Sequence, residues 1–173
     1  GPKMHITAPY LEGSGAFTPV MHQLAGVDDA RKMVNFWADQ GATSFKAYMN
    51  ITRDELRAAV EEAHKRNLKV TGHLCSVTYK EAADIGIDNL EHGLLASTDF
   101  VADKKPDQCP SGGSQSLLNL DINSDAARET IKKLVDKKVA ITSTLPVFEA
   151  SAPIAATGIG SASALLNPRM LNT

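Results

Sequence analysis

The stretch KVTGHLCSVTYKEAADIGIDNLEHG, residues 69–93, decides the fold, because it holds two short apolar runs with helix signals between them. The runs predict strands at residues 68–74 and 88–92. Thr78, followed three residues later by Glu81, is a capping box and predicts the start of a short helix. Two strands joined through a helix are typical of a parallel pair, because parallel neighbours need a long return connection.

The same alternation continues in both directions along the chain. Helical spacing or capping residues predict further helices at residues 28–40, after Thr52, where Glu55 completes a second capping box, and after Ser124. The side chains predicted to pack in this last helix are Ala127, Ile131, Leu134 and Val135. Alternating apolar residues predict further strands at residues 43–49 and 139–144. Strands separated by helices of this length predict the α/β class, with a parallel sheet and right-handed crossovers.

Composition predicts three regions of unequal length. Residues 1–2 resemble the remnant that a cloning protease leaves, residues 3–147 form the predicted domain, and residues 148–173 are an Ala/Ser/Gly-rich tail without a readable pattern. Inside the domain, about thirty residues after the strand at 88–92 have turn-forming composition, including KKPDQCPSGGSQS at residues 104–116. A connection of this length is usually a functional loop or a disordered one.

The totals exclude several classes of partner. The 173 residues are 43% hydrophobic, which suits one soluble domain, and the formal charge of −2 comes from 18 basic and 20 acidic residues that are well mixed. Without a basic stripe we expect no nucleic-acid partner, and without an apolar run near 20 residues we expect no membrane partner. The two cysteines lie in a strand and in a loop, so we expect no disulfide and a cytoplasmic location.

Three residues at neighbouring strand ends carry the candidate chemistry. Lys46, His73 and His92 all fall near the C-terminal ends of their strands, where catalytic residues gather on parallel sheets. A lone histidine in an apolar strand is more often a core residue than a ligand. A lysine there is costly to bury as a cation. It therefore either extends its ammonium group to water or pairs with a carboxylate, or it is neutralised or modified beside a metal.

Four segments resemble strand motifs of the metal-dependent amidohydrolase superfamily, especially its imidazolonepropionase-like and prolidase-like branch. SFKAY, VTGHL and NLEHG, starting at residues 44, 70 and 89, resemble its fourth, fifth and sixth strands, and ITSTLPV at 141–147 is similar to its seventh. The resemblance covers residues 41–147 and implies part of a (β/α)8 barrel.

The resemblance also implies an activity and a ligand set. Lys46 would be a carboxylated lysine that bridges two divalent ions, and His73 and His92 would hold the second ion. Zinc is the default for imidazole ligands, with manganese or cobalt as alternatives. A metal-activated water would then attack an ester, amide or phosphotriester bond of a small-molecule substrate.

The sequence also departs from the family pattern. The first-strand His-x-His pair of the family is absent, since His5 and His22 stand alone. The family's eighth-strand aspartate, a metal ligand and general base, is absent too, because the last aspartate here, Asp136, precedes the seventh strand. A whole barrel needs roughly 250 residues, so we expect a truncated internal segment completed by self-association, as a two-fold dimer. Two functions stay open: a metal-dependent hydrolase, or a catalytically silent barrel fragment.

Four further residues are candidates of lesser weight. Three of them have both a functional and a structural interpretation, and the fourth has a structural one only. Cys75 is a soft metal ligand or a small buried hydrophobe. Tyr48 donates a hydrogen bond to an oxyanion or is a half-buried strand residue. Glu91 orients a ligand or caps the following loop. His64, among charged neighbours in its helix, is interpreted as solvated surface.

Overall fold

The computed structural model describes residues 1–16 and 18–149. Helices and strands alternate along the chain, except for two consecutive helices before the last strand. They are α1 (Val27–Asp39), β1 (Ser44–Ala47), α2 (Arg53–Lys65), β2 (Lys69–Gly72), α3 (Tyr79–Ile85), β3 (Asn89–Glu91), α4 (Gly113–Leu118), α5 (Asp125–Asp136), β4 (Ala140–Thr142) and α6 (Leu145–Glu149). Residues 1–143 form one compact unit, which contains every element except α6. The predicted tail at 148–173 lies outside the described residues except for its first two positions.

The four strands form one parallel sheet in the order β1-β2-β3-β4. An N-terminal extended segment adds to the free edge of β1, through parallel bridges from Thr7 to Ser44 and from Leu11 to Ala47. The predicted α/β class and parallel sheet are therefore confirmed. The observed strands are shorter than predicted, because a strand includes only the residues that pair with a neighbouring strand. Between β2 and β3 only two positions are paired.

The helix starts follow the capping residues of the sequence. Thr52 and Thr78 each accept a hydrogen bond from the backbone of the glutamate three residues later, and each glutamate bonds back, so both predicted capping boxes are confirmed. Ser124 caps α5 by accepting from the Ala127 N–H. These contacts satisfy N–H groups that the first turn of a helix leaves without partners.

The hydrophobic core lies between the sheet and the helices α1, α2 and α3. In β1, Phe45 and Ala47 are buried towards this core, whereas Ser44 and Lys46 are half-buried on the opposite face. The alternation places Lys46 on the face opposite to this core. That face is the one on which the candidate site is built.

Helix α5 is only partly covered. Ala127 and Leu134 are buried and α5 packs against α3, but Ile131 and Val135, predicted to pack as well, are 46% and 69% exposed. The prediction is wrong for these two residues because they lie on the flank of α5 that no helix of residues 1–143 covers. Both side chains therefore leave apolar surface exposed on α5.

The two cysteines form a disulfide, so the prediction of unpaired cysteines is wrong. Cys75 and Cys109 are 34 residues apart in sequence, and their Cα atoms are 4.8 Å apart. The long connection after β3 folds back, because Asp107 accepts hydrogen bonds from the Arg53 backbone and guanidinium and Lys104 donates to the Ser76 carbonyl. Disulfides persist mainly in oxidising compartments, so the cysteines no longer argue for the predicted cytoplasmic location.

Candidate functional site

The site begins with two histidines that directly follow neighbouring strands. His73 comes after β2, where its N–H donates to the Ala47 carbonyl at 3.1 Å, and His92 comes after β3. Their ring centroids are 4.4 Å apart at an interplanar angle of 71°. Parallel strands thus bring together two imidazoles that are 19 positions apart in sequence, as the sequence predicted.

The backbone of His92 adopts a conformation that few residues with a side chain adopt. Its φ is 71°, in the left-handed region, and Gly93 follows with a φ of 63°. Strained positions of this kind persist only where the surroundings hold them. Here the buried Tyr79 hydroxyl lies 2.9 Å from the Glu91 carbonyl and 3.1 Å from the Gly93 carbonyl, one on each side of His92.

Tyr79 is therefore a residue that the sequence analysis missed. It is the first residue of α3, directly after the capping Thr78, and it is fully buried. The capping box predicted the helix, but nothing in the sequence indicated that the phenol reaches the strand end twelve residues further on. Burial also raises the pKa of Tyr79, so the phenol keeps its proton and remains a donor to the two carbonyls.

Lys46 lies in an ion pair with Glu91. The Lys46 Nζ is 2.5 Å from the Glu91 Oε2, and each side chain is 16% exposed. The other carboxylate oxygen, Oε1, accepts a hydrogen bond from the Thr71 hydroxyl at 3.1 Å. Of the alternatives for Lys46, this structure has the one in which the lysine pairs with a carboxylate.

The polar contacts continue across the same face of the sheet. Asn89 Nδ2 donates to the Thr71 hydroxyl at 2.7 Å, and the Thr142 hydroxyl donates to Asn89 Oδ1 at 3.0 Å. Barrel interiors are usually filled by branched apolar side chains. Here hydrogen-bonded polar side chains cross β1 to β4, so this face can meet water or a polar ligand without leaving its polar groups unpaired.

Both imidazoles are held in the neutral form at pH 7. Burial, with the nearby charges of His92 and Lys46, lowers the pKa of His73 to about 4. Burial also lowers the pKa of His92, against the opposing effect of Glu91, whose Oε2 is 4.0 Å from the His92 Nε2. A neutral imidazole has a free nitrogen lone pair, which is the form that binds metals.

Tyr48 contacts the histidine pair from the side of β1. Its ring centroid is 5.1 Å from that of His73, in an edge-to-face arrangement. On its other side it stacks on Tyr10 at 4.7 Å, with the ring planes 16° apart. Burial raises the pKa of Tyr48, so its hydroxyl stays protonated and can donate a hydrogen bond. Tyr10 was not singled out in the sequence, because it precedes the first predicted element.

The structure does not support Cys75 as a metal ligand. Its sulfur is bonded to Cys109, so there is no thiolate to coordinate a metal. Among residues 1–16 and 18–149, no three His, Cys, Asp or Glu side chains are grouped so as to hold a metal ion. The described residues thus bring together two imidazoles, those of His73 and His92.

His64 is more than the solvated surface residue predicted from its charged neighbours. Its Nε2 lies 2.8 Å from Asp88, whose carboxylate also accepts hydrogen bonds from the Lys69 side chain and the Val70 N–H. These contacts connect α2 with the start of β2 and with Asp88, the residue before β3. It lies at the N-terminal end of β2, whereas the histidine pair follows the C-terminal ends of β2 and β3.

Known proteins resemble this chain only in structure. No protein-family model matches the sequence, and no curated protein matches it. The fold is similar to that of bottromycin amidohydrolase, with a TM-score of 0.53 and 20% identity over 94% of this chain and 38% of that one. An uncharacterized protein matches with a TM-score of 0.49 and 20% identity, over 82% of this chain and 47% of that one.

A third solved structure, of a proposed prolidase from Bifidobacterium longum, matches with a TM-score of 0.41 and 17% identity, over 74% of this chain and 38% of that one. At these identities the similarity shows the fold alone. The four parallel strands alternating with helices are consistent with part of a barrel. The chain spans less than half the length of each of these proteins.

No helix of residues 1–16 and 18–149 is long and apolar enough to cross a bilayer.

Proposed function

We propose that this protein is a metal-dependent hydrolase that cleaves an ester, amide or phosphotriester bond of a small-molecule substrate. The observation that carries the proposal is the pair of neutral imidazoles, His73 and His92, at adjacent strand ends and 4.4 Å apart. The fold similarity to bottromycin amidohydrolase agrees with a hydrolase fold. The left-handed backbone at His92 agrees with it too, because strained residues cluster at functional sites.

The imidazoles of His73 and His92 suit one divalent ion. They would supply two of the three protein ligands that are usual in a catalytic zinc site. Zinc suits imidazole best, and manganese or cobalt would follow if oxygen ligands complete the shell. Carboxylated Lys46 is the proposed third ligand, since Lys46 faces the same side of the sheet. To take that role, Lys46 has to leave its ion pair with Glu91.

Each residue of the site has a separate task in this proposal. A divalent ion, when bound, supplies a water activated for attack near neutral pH. His73 and His92 hold it, and the contacts of Tyr79 to the backbone on either side of His92 keep that ring in place. The protonated Tyr48, in ring contact with His73, donates a hydrogen bond to the oxygen on which negative charge develops.

Metal analysis tests the proposal directly. Protein purified without chelators should contain close to one divalent ion per chain, and zinc added to the metal-free protein should raise its melting temperature. His73→Ala and His92→Ala should lose both effects. His64→Ala, which removes the histidine bonded to Asp88, is the matched control and should keep them. Protein with no metal and no response to zinc, manganese or cobalt would contradict the proposal.

Activity is tested with activated aryl esters, because good leaving groups need little general-acid assistance. Unactivated peptide bonds should be cleaved poorly. Hydrolysis should stop when a chelator is added and should be lost in His73→Ala. Turnover that survives both changes would come from other chemistry.

A second candidate function is a catalytically silent barrel segment. It is favoured by the Lys46–Glu91 ion pair, which satisfies both charges without a metal, and by the lack of a three-residue ligand group in the described part of the chain. The same zinc titration separates the two candidates. A silent segment should show no thermal shift with metal and the same stability in His92→Ala with and without zinc.

We also propose that the chain self-associates, as a dimer of identical copies. Residues Ala140 to Thr142 of β4 are all exposed, and Ile131 and Val135 lie uncovered on α5. This chain matches 38% of the fold neighbour, and its described strands run in one row from β1 to β4. A second copy placed with its N-terminal segment beside β4 would pair both edges and cover these apolar side chains.

A further inference from the structure

Glu12 is a buried carboxylate that the proposed chemistry does not use. It directly follows Leu11, which is bridged to β1, and it is 0% exposed. Its Oε1 accepts hydrogen bonds from the N–H of Gly13 at 2.8 Å and from the N–H of Asn50 at 2.7 Å. Its Oε2 is buried too, and within residues 1–16 and 18–149 it has no hydrogen-bond partner. A buried polar atom without a partner costs free energy, so its presence needs an explanation.

The surroundings of Glu12 disfavour its charged form. Burial raises the pKa of Glu12 above the ordinary value of 4.5, against the opposing effect of the hydrogen bonds from Asn50 and Gly13. Two other titratable groups interact with it. Glu55, a buried residue of α2, raises the pKa of Glu12 further through its negative charge, and Tyr48 has its own pKa raised in part by Glu12. A proton on the carboxyl group removes a charge that the interior does not compensate.

The turn at residues 12–15 lies directly against the loop after β1. A Cβ at Gly13 would overlap the carbonyl group of Asn50, so the two backbones touch. The Asn50 Nδ2 donates to the Gly15 carbonyl at 3.1 Å, and the Leu24 N–H donates to the Glu12 carbonyl at 2.8 Å. Water can therefore reach the enclosed Oε2 only when the turn moves away from the loop.

We propose that Glu12 is a proton-dependent latch, which holds residues 10–15 against β1 and the following loop while its carboxyl group is protonated and releases them when the proton leaves. The cause is the buried Oε2. As a neutral acid, the group is buried without a charge. As a carboxylate, it carries charge on an oxygen that has no partner in the closed state and is hydrated in the released state.

The latch reaches the candidate site through the neighbouring backbone. Leu11 donates its N–H to the Lys46 carbonyl and accepts from the Tyr48 N–H, both at 2.9 Å, and the Tyr10 ring stacks on that of Tyr48. Release of the segment breaks these contacts, so it changes the surroundings of the proposed hydrogen-bond donor Tyr48. The latch itself needs no metal and no substrate. Its test is therefore independent of the proposed hydrolase.

The pH dependence has a definite sign. In the released state Glu12 lies in water and has the ordinary pKa of 4.5, whereas in the closed state its pKa is higher. The closed state is therefore fully stabilised below pH 4.5 and loses this stabilisation as the pH rises towards the raised pKa. One proton leaves per opening, so the opening equilibrium constant rises by up to about tenfold per pH unit in this window and levels off above it.

The pKa of Glu12 is measured first, by NMR of the metal-free protein made with isotopically labelled glutamate. The Glu12 carboxyl signal is assigned through its bonds to the backbone, so no variant is needed. It should titrate above pH 4.5 in the folded protein and near pH 4.5 in the protein unfolded by urea. A Glu12 carboxyl that titrates at or below pH 4.5 in the folded protein would overturn the proposal.

Release is measured second, by amide hydrogen exchange of the Gly13, Asn50 and Tyr48 N–H groups, corrected for the intrinsic exchange rate at each pH. In the parent protein their protection should fall by up to about tenfold per pH unit through the window. Glu12→Gln keeps the shape of the side chain without its charge, and its protection should not depend on pH. Glu61→Gln, at an exposed glutamate of α2, is the matched control and should follow the parent.

The N–H of Gly86, which is bonded to the Ala82 carbonyl at the end of α3, separates local release from unfolding of the whole unit. It should keep its protection while the latch opens. Protection at Gly13 and Asn50 that does not change with pH in the parent, or that falls equally in Glu12→Gln, would contradict the latch. A Glu12→Gln protein without a folded circular dichroism spectrum would contradict it as well, because a neutral side chain of the same shape should fit the closed state.

Discussion

Replacement of His73 by glutamine should change how the stability of the protein depends on pH. The pKa of His73 is about 4 in the folded protein, against 6.5 for an unperturbed histidine, mainly because the ring is buried. As the pH falls below 6.5, the unfolded chain takes up a proton at this residue while the folded protein does not. The stability associated with neutral His73 is therefore complete above pH 6.5 and is lost as the pH falls towards 4.

The size of the effect follows from the shift. One pKa unit corresponds to about 1.4 kcal/mol, so the whole shift corresponds to about 3 kcal/mol, of which about 2 kcal/mol should be lost by pH 5. Urea denaturation of the metal-free protein at pH 7.5 and pH 5, at constant ionic strength and without reductant, measures the free energy of unfolding. The parent protein should lose about 2 kcal/mol more between the two pH values than His73→Gln does.

The glutamine variant keeps a polar side chain at position 73, so its comparison with the parent isolates the titrating group. Equal losses of stability in the parent and in His73→Gln would refute the reasoning. They would mean that water reaches the His73 ring and that the site is not set up to hold neutral imidazoles.

Three other predictions concern the surroundings of the site. Cys109→Ser opens the disulfide, which closes a loop with a sequence separation of 34, and should lower the free energy of unfolding by about 3–4 kcal/mol; an unchanged urea midpoint would show that the bond does not form. Tyr79→Phe removes the hydroxyl beside His92 and should weaken zinc binding in a competition titration while a folded spectrum is kept; unchanged zinc affinity would contradict the positioning role. Val135→Glu should shift light scattering from dimer to monomer, whereas Val20→Glu, at an exposed loop position, should not; a parent that is already monomeric at micromolar concentration would exclude self-association.

Local signals in the sequence determined the elements and their order. The capping residues Thr52, Thr78 and Ser124 set the starts of three helices, because each supplies an oxygen to N–H groups that the helix itself leaves unpaired. Alternating apolar residues set the strands, since a strand buries every second side chain on one face. Parallel order then follows from the helices between the strands, and with it the prediction that His73 and His92 would meet.

Tertiary structure decided which groups pair at the site. The ion pair of Lys46 with Glu91 joins residues 45 positions apart, and the sequence offered a carboxylate partner for Lys46 without showing which one. The contact of Tyr79 with the backbone at His92 depends on where the start of α3 lies relative to β3. The spacing of apolar residues in the sequence does not give this distance.

The disulfide shows the same limit. Cys75 and Cys109 are far apart in sequence. They meet because polar contacts hold the connection after β3 against α2 and against the segment between β2 and α3. Capping and side-chain alternation are local interactions, so they can be read within a few residues of sequence. Ion pairs, ring contacts and disulfides between distant segments depend on the packed arrangement of the whole unit, and only the tertiary structure contains it.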